Sequence, residues 1–120
     1  MPLDAVVTQL ALHHLPDFWK FVALRNIYGF LKTGGKLYLR DVVFDSGVEN
    51  YNEYFSGWRD SVLKMAGEEF AASIDRHIRD EYSTLDWVME GMITRAGFEL
   101  NEVYQPGYCN KAYLCVKSVK

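Results

Sequence analysis

Two adjacent histidines, His13 and His14, and an aspartate further along, Asp41, are the residues of this chain whose types suit proton chemistry. An imidazole titrates near neutral pH, and His14 is assigned the part of a general base. The competing reading is a solvated or capping histidine, since no second member of a dyad stands near it in sequence. On an extended backbone the side chains of two adjacent residues diverge, so the pair is not expected to chelate one ion, and no metal site is assigned. Asp41 falls late in an apolar segment, where a carboxylate is costly unless bonded. It is therefore either paired, for instance with Arg40 or Arg59, or functional, and its position favours a site role.

The elements that must position these residues follow from the pattern around them. Ala5 to Leu12 is an apolar run with Thr8 and Gln9 as its polar exceptions, and it reads as a strand buried on both faces. Pro16 and Asp17 open a helix with Asp17 as its N-cap, in which Phe21, Leu24, Tyr28 and Leu31 recur at helical spacing and Lys20, Arg25 and Asn26 mark polar positions. Gly34 or Gly35 supplies a left-handed cap, and Lys36 to Phe44 forms a second strand. One helix linking two apolar strands is a βαβ unit, with parallel strands and a right-handed crossover. Ligands of such sheets bind beyond the carboxyl ends of the strands, which puts His13, His14, Arg40 and Asp41 at the expected crevice. Gln9, near the end of its strand, either bonds neighbouring backbone or faces a ligand.

From Asp45 to Tyr82 the chain turns helical and more polar, with helices expected over Asn52–Ala66 and Glu68–Arg79. Ser83 or Thr84 then caps a helix over Leu85–Arg95, ended by Ala96-Gly97. Phe98–Tyr104 and Ala112–Val119 read as a closing hairpin with a seven-residue loop, Gln105 to Lys111.

Asp4, the segment Leu12-His13-His14-Leu15-Pro16-Asp17 and the segment Leu31-Lys32-Thr33-Gly34-Gly35-Lys36-Leu37 together resemble the class I S-adenosylmethionine-dependent methyltransferases, with Thr33 where that family usually has proline. The resemblance spans nearly the whole chain but only the second half of the family's fold, from its fourth strand onward. It implies an α/β fold: a partial Rossmann-like methyltransferase sheet of two parallel strands plus a C-terminal antiparallel hairpin, with helices on the sheet and a helical insertion. The whole of 1–120 would form one domain, the insertion at 45–82 would be a lid, and the strand order would be first, second, fourth, third. The resemblance assigns Gln9, Leu10 and His13 to S-adenosylmethionine and His14 and Asp41 to catalysis. Arg40, Tyr54, Trp58 and Arg59, with Tyr51 and His77 beside them, become substrate contacts. For the aromatic residues of the insertion, a satellite core is the competing reading.

Composition narrows the class independently. The chain has 120 residues, 49% hydrophobic and 24% charged, which is a globular composition of single-domain size. A net charge of −3, with Lys and Arg scattered, gives no footprint for nucleic acid or anionic membrane, so small-molecule or protein partners are expected. Cys109 and Cys115 lack Cys-x-x-Cys spacing and read as reduced thiols. Met1 to Asp4 carries no signal-like pattern and no run is long enough to span a bilayer, so a soluble cytoplasmic protein is expected.

Two features limit the functional reading. No Gly-x-Gly turn and no strand-end acid for ribose hydroxyls are found, so the adenosine half of the cofactor has no recognisable receptor. Two readings follow. The chain is the C-terminal portion of a methyltransferase acting on a small-molecule acceptor and using S-adenosylmethionine once an N-terminal half is supplied, or it is a non-catalytic remnant serving protein interaction. In either case the strand from Asp4 to Leu12 has an outer edge without Pro, Gly or charge between Ala5 and Leu12, so a homodimer through that edge, or a companion chain, is expected.

Overall fold

The computed structural model describes residues 2–118. Its elements are β1 (Leu3–Gln9), a 3₁₀ turn (Leu12–His14), α1 (Asp17–Phe30), β2 (Leu31–Phe44), α2 (Tyr51–Ala66), α3 (Glu68–Asp80), β3 (Thr84–Leu85), α4 (Asp86–Arg95), β4 (Glu99–Gly107) and β5 (Asn110–Val116). The expected strand end at Val119 lies outside the described residues.

The sheet runs in the order β1-β2-β5-β4. This is the expected order of first, second, fourth, third. β1 pairs parallel with β2, while β5 pairs antiparallel with both β2 and β4. The short β3 was not foreseen: it pairs parallel with Val43 and Phe44 of β2, just past the point where β1 stops pairing at Arg40. That pairing draws Thr84 and Leu85 into extended backbone, so the expected Ser83 or Thr84 cap is absent and α4 begins at Asp86. The Asp86 carboxylate instead accepts from its neighbour Trp87 N at 2.7 Å.

Side chains alternate across a strand, and β2 sorts the molecule accordingly. Leu37, Leu39 and Val43 enter the main core with Leu24 of α1, Met89 and Ile93 of α4, Phe98 from the loop before β4 and Tyr113 of β5. Val42, of opposite parity, joins Trp58, Ile74 and Cys109 in a second core, against which Phe44, Tyr54, Phe55, Val62 and Ile78 pack. α2 and α3 therefore build a satellite core against the carboxyl end of β2. Burial raises the Cys109 thiol to about 12, and the thiol stays protonated.

Local boundaries differ from the sequence reading where a tertiary contact outweighs a propensity. The helix cap expected from Gly34 or Gly35 is not there: α1 ends with Leu31 in extended conformation and its N–H on Ile27 O. Gly34, with φ +84°, serves instead in an irregular stretch of β2 that exchanges backbone bonds with Lys117. At the N-terminus of α1 the cap is Pro16, with Asp17 already helical. Gly97, at φ +118° with the Tyr28 ring against it, ends α4 as expected. The closing hairpin is tighter than its expected seven-residue loop, because pairing extends to Gly107 and Asn110 and leaves only Tyr108 and Cys109 at the turn. Cys109 adopts φ +51° there while its side chain anchors the second core.

β1 departs furthest from expectation. It ends at Gln9, and its residues are exposed or half-buried, not enclosed on both faces; Val7 is 65% exposed. The physical reason is that β1 pairs on one side only among the described residues. No helix among the described residues is long and apolar enough to cross a membrane.

Candidate functional site

The chain leaves β1 through Leu10, whose φ of +52° turns it away from the sheet, and then makes the 3₁₀ turn. This turn corrects the extended backbone expected for the two histidines. Their rings do not diverge but stand 4.2 Å apart between centroids. The turn lies against the carboxyl end of β2, in the gap between the pairings of β1 and β3.

Asp41 fills that gap. By strand parity it belongs to the apolar face of Leu37, Leu39 and Val43, and it is fully buried. Its Oδ2 accepts from Leu12 N at 2.8 Å, and its Oδ1 accepts from Val42 N at 2.8 Å and meets His13 Nδ1 at 2.6 Å. Three partners offset the cost of burying the charge. Neither Arg40 nor Arg59, the partners considered from sequence, is among them. Arg40 donates instead to Asn110 Oδ1 at 3.0 Å.

With Nδ1 of His13 on Asp41, its other nitrogen, Nε2, lies 2.8 Å from Glu81 Oε2. The same carboxylate oxygen lies 3.0 Å from His77 Nδ1 and 3.7 Å from His14 Nδ1. Burial holds the His77 imidazole below its ordinary pKa, with Glu81 opposing that shift and the charges of His13, His14 and Arg76 adding to it.

Two backbone ties hold Glu81 in this position. Tyr82 N donates to His13 O at 2.8 Å. Lys20, expected at a polar position of α1, is fully buried, and its ammonium donates to Leu15 O at 2.7 Å, to Asp17 Oδ1 at 3.1 Å and to Tyr82 O. A buried ammonium with three acceptors thus joins the segment after α3 to the loop before α1.

Above this cluster opens a cavity of about 410 Å³, lined by Leu10, His13, His14 and Val42 from the sheet side, Asn110 from β5, and Trp58, Val62, Phe70, Ser73, Ile74, His77 and Glu81 from the helical pair and its exit. Of the residues singled out from sequence, Leu10, His13, His14, Trp58 and His77 line it, and Asp41 lies directly behind His13. His14 projects outward with its side chain 62% exposed. Gln9 is exposed at the tip of β1. Arg59 faces other grooves of the helical pair, and Tyr54 is turned to Asp45 and the Tyr108 ring. Sequence reasoning missed Glu81 and Lys20. His77 and Glu81 stand four apart, a spacing that stacks side chains on one helical face, and this was the signal available for Glu81. For Lys20 there was none, because its carbonyl partner at Tyr82 is 62 residues away.

The sheet order, the parallel βαβ unit and the strand-end cavity define a partial Rossmann-like α/β fold. No family model matches the chain. An uncharacterized methyltransferase of Geobacillus kaustophilus is 26% identical over 107 residues, covering 89% of this chain and 46% of that protein. The chain therefore spans about half the length of that relative. Among solved structures, an O-methyltransferase family 2 protein from Planctomyces limnophilus in complex with apigenin superposes with a TM-score of 0.69 at 15% identity, over 98% of this chain and 31% of that one. Human N-acetylserotonin methyltransferase in complex with SAM gives 0.64 at 17% identity, over 99% and 31%. The methyltransferase resemblance read from the sequence is borne out, and the fold is the partial Rossmann-like sheet expected from it.

Proposed function

We propose that this chain is the acceptor-binding portion of an S-adenosylmethionine-dependent methyltransferase, acting on a hydroxyl group of a small molecule, with His13 as the general base. The observation that carries this reading is the buried His13–Asp41 pair at the tips of two parallel strands, facing a partly apolar cavity of about 410 Å³. Asp41 accepts the Nδ1 proton and fixes the tautomer, which leaves Nε2 to take a proton from an acceptor hydroxyl as Glu81 swings aside. His14, the base expected from sequence, has neither the burial nor the carboxylate at its back. Its place at the cavity mouth suits contact with the acceptor, as does that of Trp58.

S-adenosylmethionine, when bound, supplies the activated methyl carbon. The residues present fit only its methionine end: Gln9 and Leu10 stand exposed at the tip of β1, while the sequence has no Gly-rich turn for the phosphate-free adenosine half. This chain's own contribution is to hold the acceptor, to keep water away from it with α2 and α3, and to receive its proton. The net charge of −3 and the absence of any basic cluster from the sequence favour a small acceptor over nucleic acid.

The test is methyl transfer by a form extended to the full length of the relatives. There His13→Ala should lower turnover by about 10²-fold or more and His14→Ala by much less, with Asp41→Asn close to the former. Equal, small effects of all three would remove the pair from the chemistry. The chain of 120 residues alone should bind S-adenosylmethionine with a millimolar or weaker dissociation constant, since each missing hydrogen bond to the ligand costs about 1–3 kcal/mol. A micromolar constant by calorimetry would show that no further segment is needed.

A second reading rests on a different observation, the open outer edge of β1. There the chain is an interaction module, pairing through that edge with a second copy of itself or with a companion chain.

A further inference from the structure

Three imidazoles converge on one carboxylate oxygen in the cavity wall. Glu81 Oε2 has His13 Nε2 at 2.8 Å, His77 Nδ1 at 3.0 Å and His14 Nδ1 at 3.7 Å. Hydrogen bonding does not account for the arrangement. Glu81 Oε2 and His77 Nδ1 are both closed off from solvent, and neither makes an aligned hydrogen bond. Buried polar atoms left in this state are rare and costly. A cation bound at this carboxylate would give Glu81 Oε2 the partner it lacks.

We propose that His13, His14 and Glu81 form a binding site for zinc, with His77 Nδ1 3.0 Å from the same Glu81 oxygen. The ligand atoms of His13, His14 and Glu81 all lie within 4.8 Å of one another. Around a tetrahedral zinc with bonds of about 2.0–2.1 Å, ligand atoms are about 3.3 Å apart, so small side-chain rotations close the site. Two imidazoles and one carboxylate are a donor set that zinc takes with a fourth position left open, and imidazole selects zinc, copper and nickel over magnesium or calcium.

Asp41 supplies the second requirement of such a site. A metal-bound histidine commonly hands its other ring proton to a carboxylate, which fixes the tautomer and strengthens the ligand. His13 has this arrangement, with Nδ1 on the buried Asp41 and Nε2 toward Glu81. The 3₁₀ turn supplies the third, because it stands the two adjacent rings 4.2 Å apart, where an extended backbone would part them. One nitrogen cannot hold zinc and take a proton at once. Where the methyl-transfer reading holds, bound zinc is therefore an inhibitor.

The experiment is calorimetric titration of the chelator-treated chain with zinc chloride, repeated with cobalt(II) to read the visible absorption of a four-coordinate ion. One zinc per chain should bind with a dissociation constant on the order of 1 μM. Glu81→Gln and His14→Ala should each weaken it at least tenfold, and Asp41→Asn by about 10–100-fold. His14 is exposed, so its variant tests the site without endangering the fold, and circular dichroism checks the other two. No saturable heat up to roughly 100 μM zinc, an octahedral cobalt spectrum, or constants unchanged in Glu81→Gln and His14→Ala would each overturn the site. The readout is metal binding by the chain itself, so its outcome is separate from that of the methyl-transfer test.

Discussion

Nδ1 of His13 lies 2.6 Å from Oδ1 of Asp41, a contact between side chains that are 4% and 0% exposed. The same carboxylate also receives the amides of Leu12 and Val42, so it is the fixed point on which the loop after β1 is seated. Asp41→Ala would leave two amides and an imidazole facing an empty space. The expected loss is roughly 3–5 kcal/mol of stability, measured by urea unfolding. Asp41→Asn keeps an acceptor and should lose clearly less. Equal losses in the two variants would mean that side-chain volume, and not the hydrogen bonds, is what the fold needs.

Lys20 makes a prediction on order as well as on stability. Its buried ammonium holds Leu15 O and Tyr82 O together, and Tyr82 N is bonded to His13 O. Lys20→Met preserves much of the stem but leaves those carbonyls unpartnered, at a cost of roughly 2–4 kcal/mol. Amide exchange at Tyr82 should accelerate with it, since the segment carrying Glu81 loses its anchor. Unchanged exchange at Tyr82 would show that the lysine has no part in positioning Glu81.

The His77 pKa is lowered from its ordinary value of 6.5, first by burial. An imidazole with a lowered folded-state pKa binds fewer protons in the native state than in the unfolded state just below 6.5. The stability is therefore fully present above the unfolded value and is lost as pH falls from there toward the folded one. Urea midpoints followed from about pH 8 to about pH 5 should decline in the native sequence, and less steeply in His77→Gln. Parallel curves would assign the acid sensitivity to other groups.

The outer edge of β1 predicts association. Val7 is 65% exposed there, and Phe18, Trp19 and Phe30 of α1 are exposed as well. From Ala5 to Gln9 the strand carries neither charge nor proline, and such an edge is a template for pairing. Light scattering at micromolar concentration should find a dimer, and Val7→Lys should return it to a monomer by placing a charge on each copy. A monomeric native chain with rapidly exchanging amides from Val6 to Gln9 would refute the edge pairing.

The elements were legible in the sequence because their signals are local. The apolar runs of β1 and β2, the helical periodicity of α1 and the two helices between residues 51 and 80 all rest on spacings of a few residues. The strand order followed from the family resemblance and holds in the structure. Boundaries went astray where the deciding partner was distant: Thr84 and Leu85 are extended because Val43 and Phe44 offer them an edge, and the final hairpin is tight because Cys109 is needed in the second core.

The site divides in the same way. His13, His14 and Asp41 could be singled out from residue type and from their place at strand ends. Which histidine meets the aspartate could not, because a single left-handed residue, Leu10, and the 3₁₀ turn after it set the direction of each ring. Glu81 joins them from 68 residues beyond His13 in the chain only because a buried lysine and one backbone hydrogen bond bring it there. The sequence by itself determined which groups capable of chemistry the sheet would carry at its tips, since strand and helix patterns are short-range. Only the tertiary structure decided which of them touch, since a hydrogen bond acts over about 3 Å and the residues that share one are set by how the loops fold back.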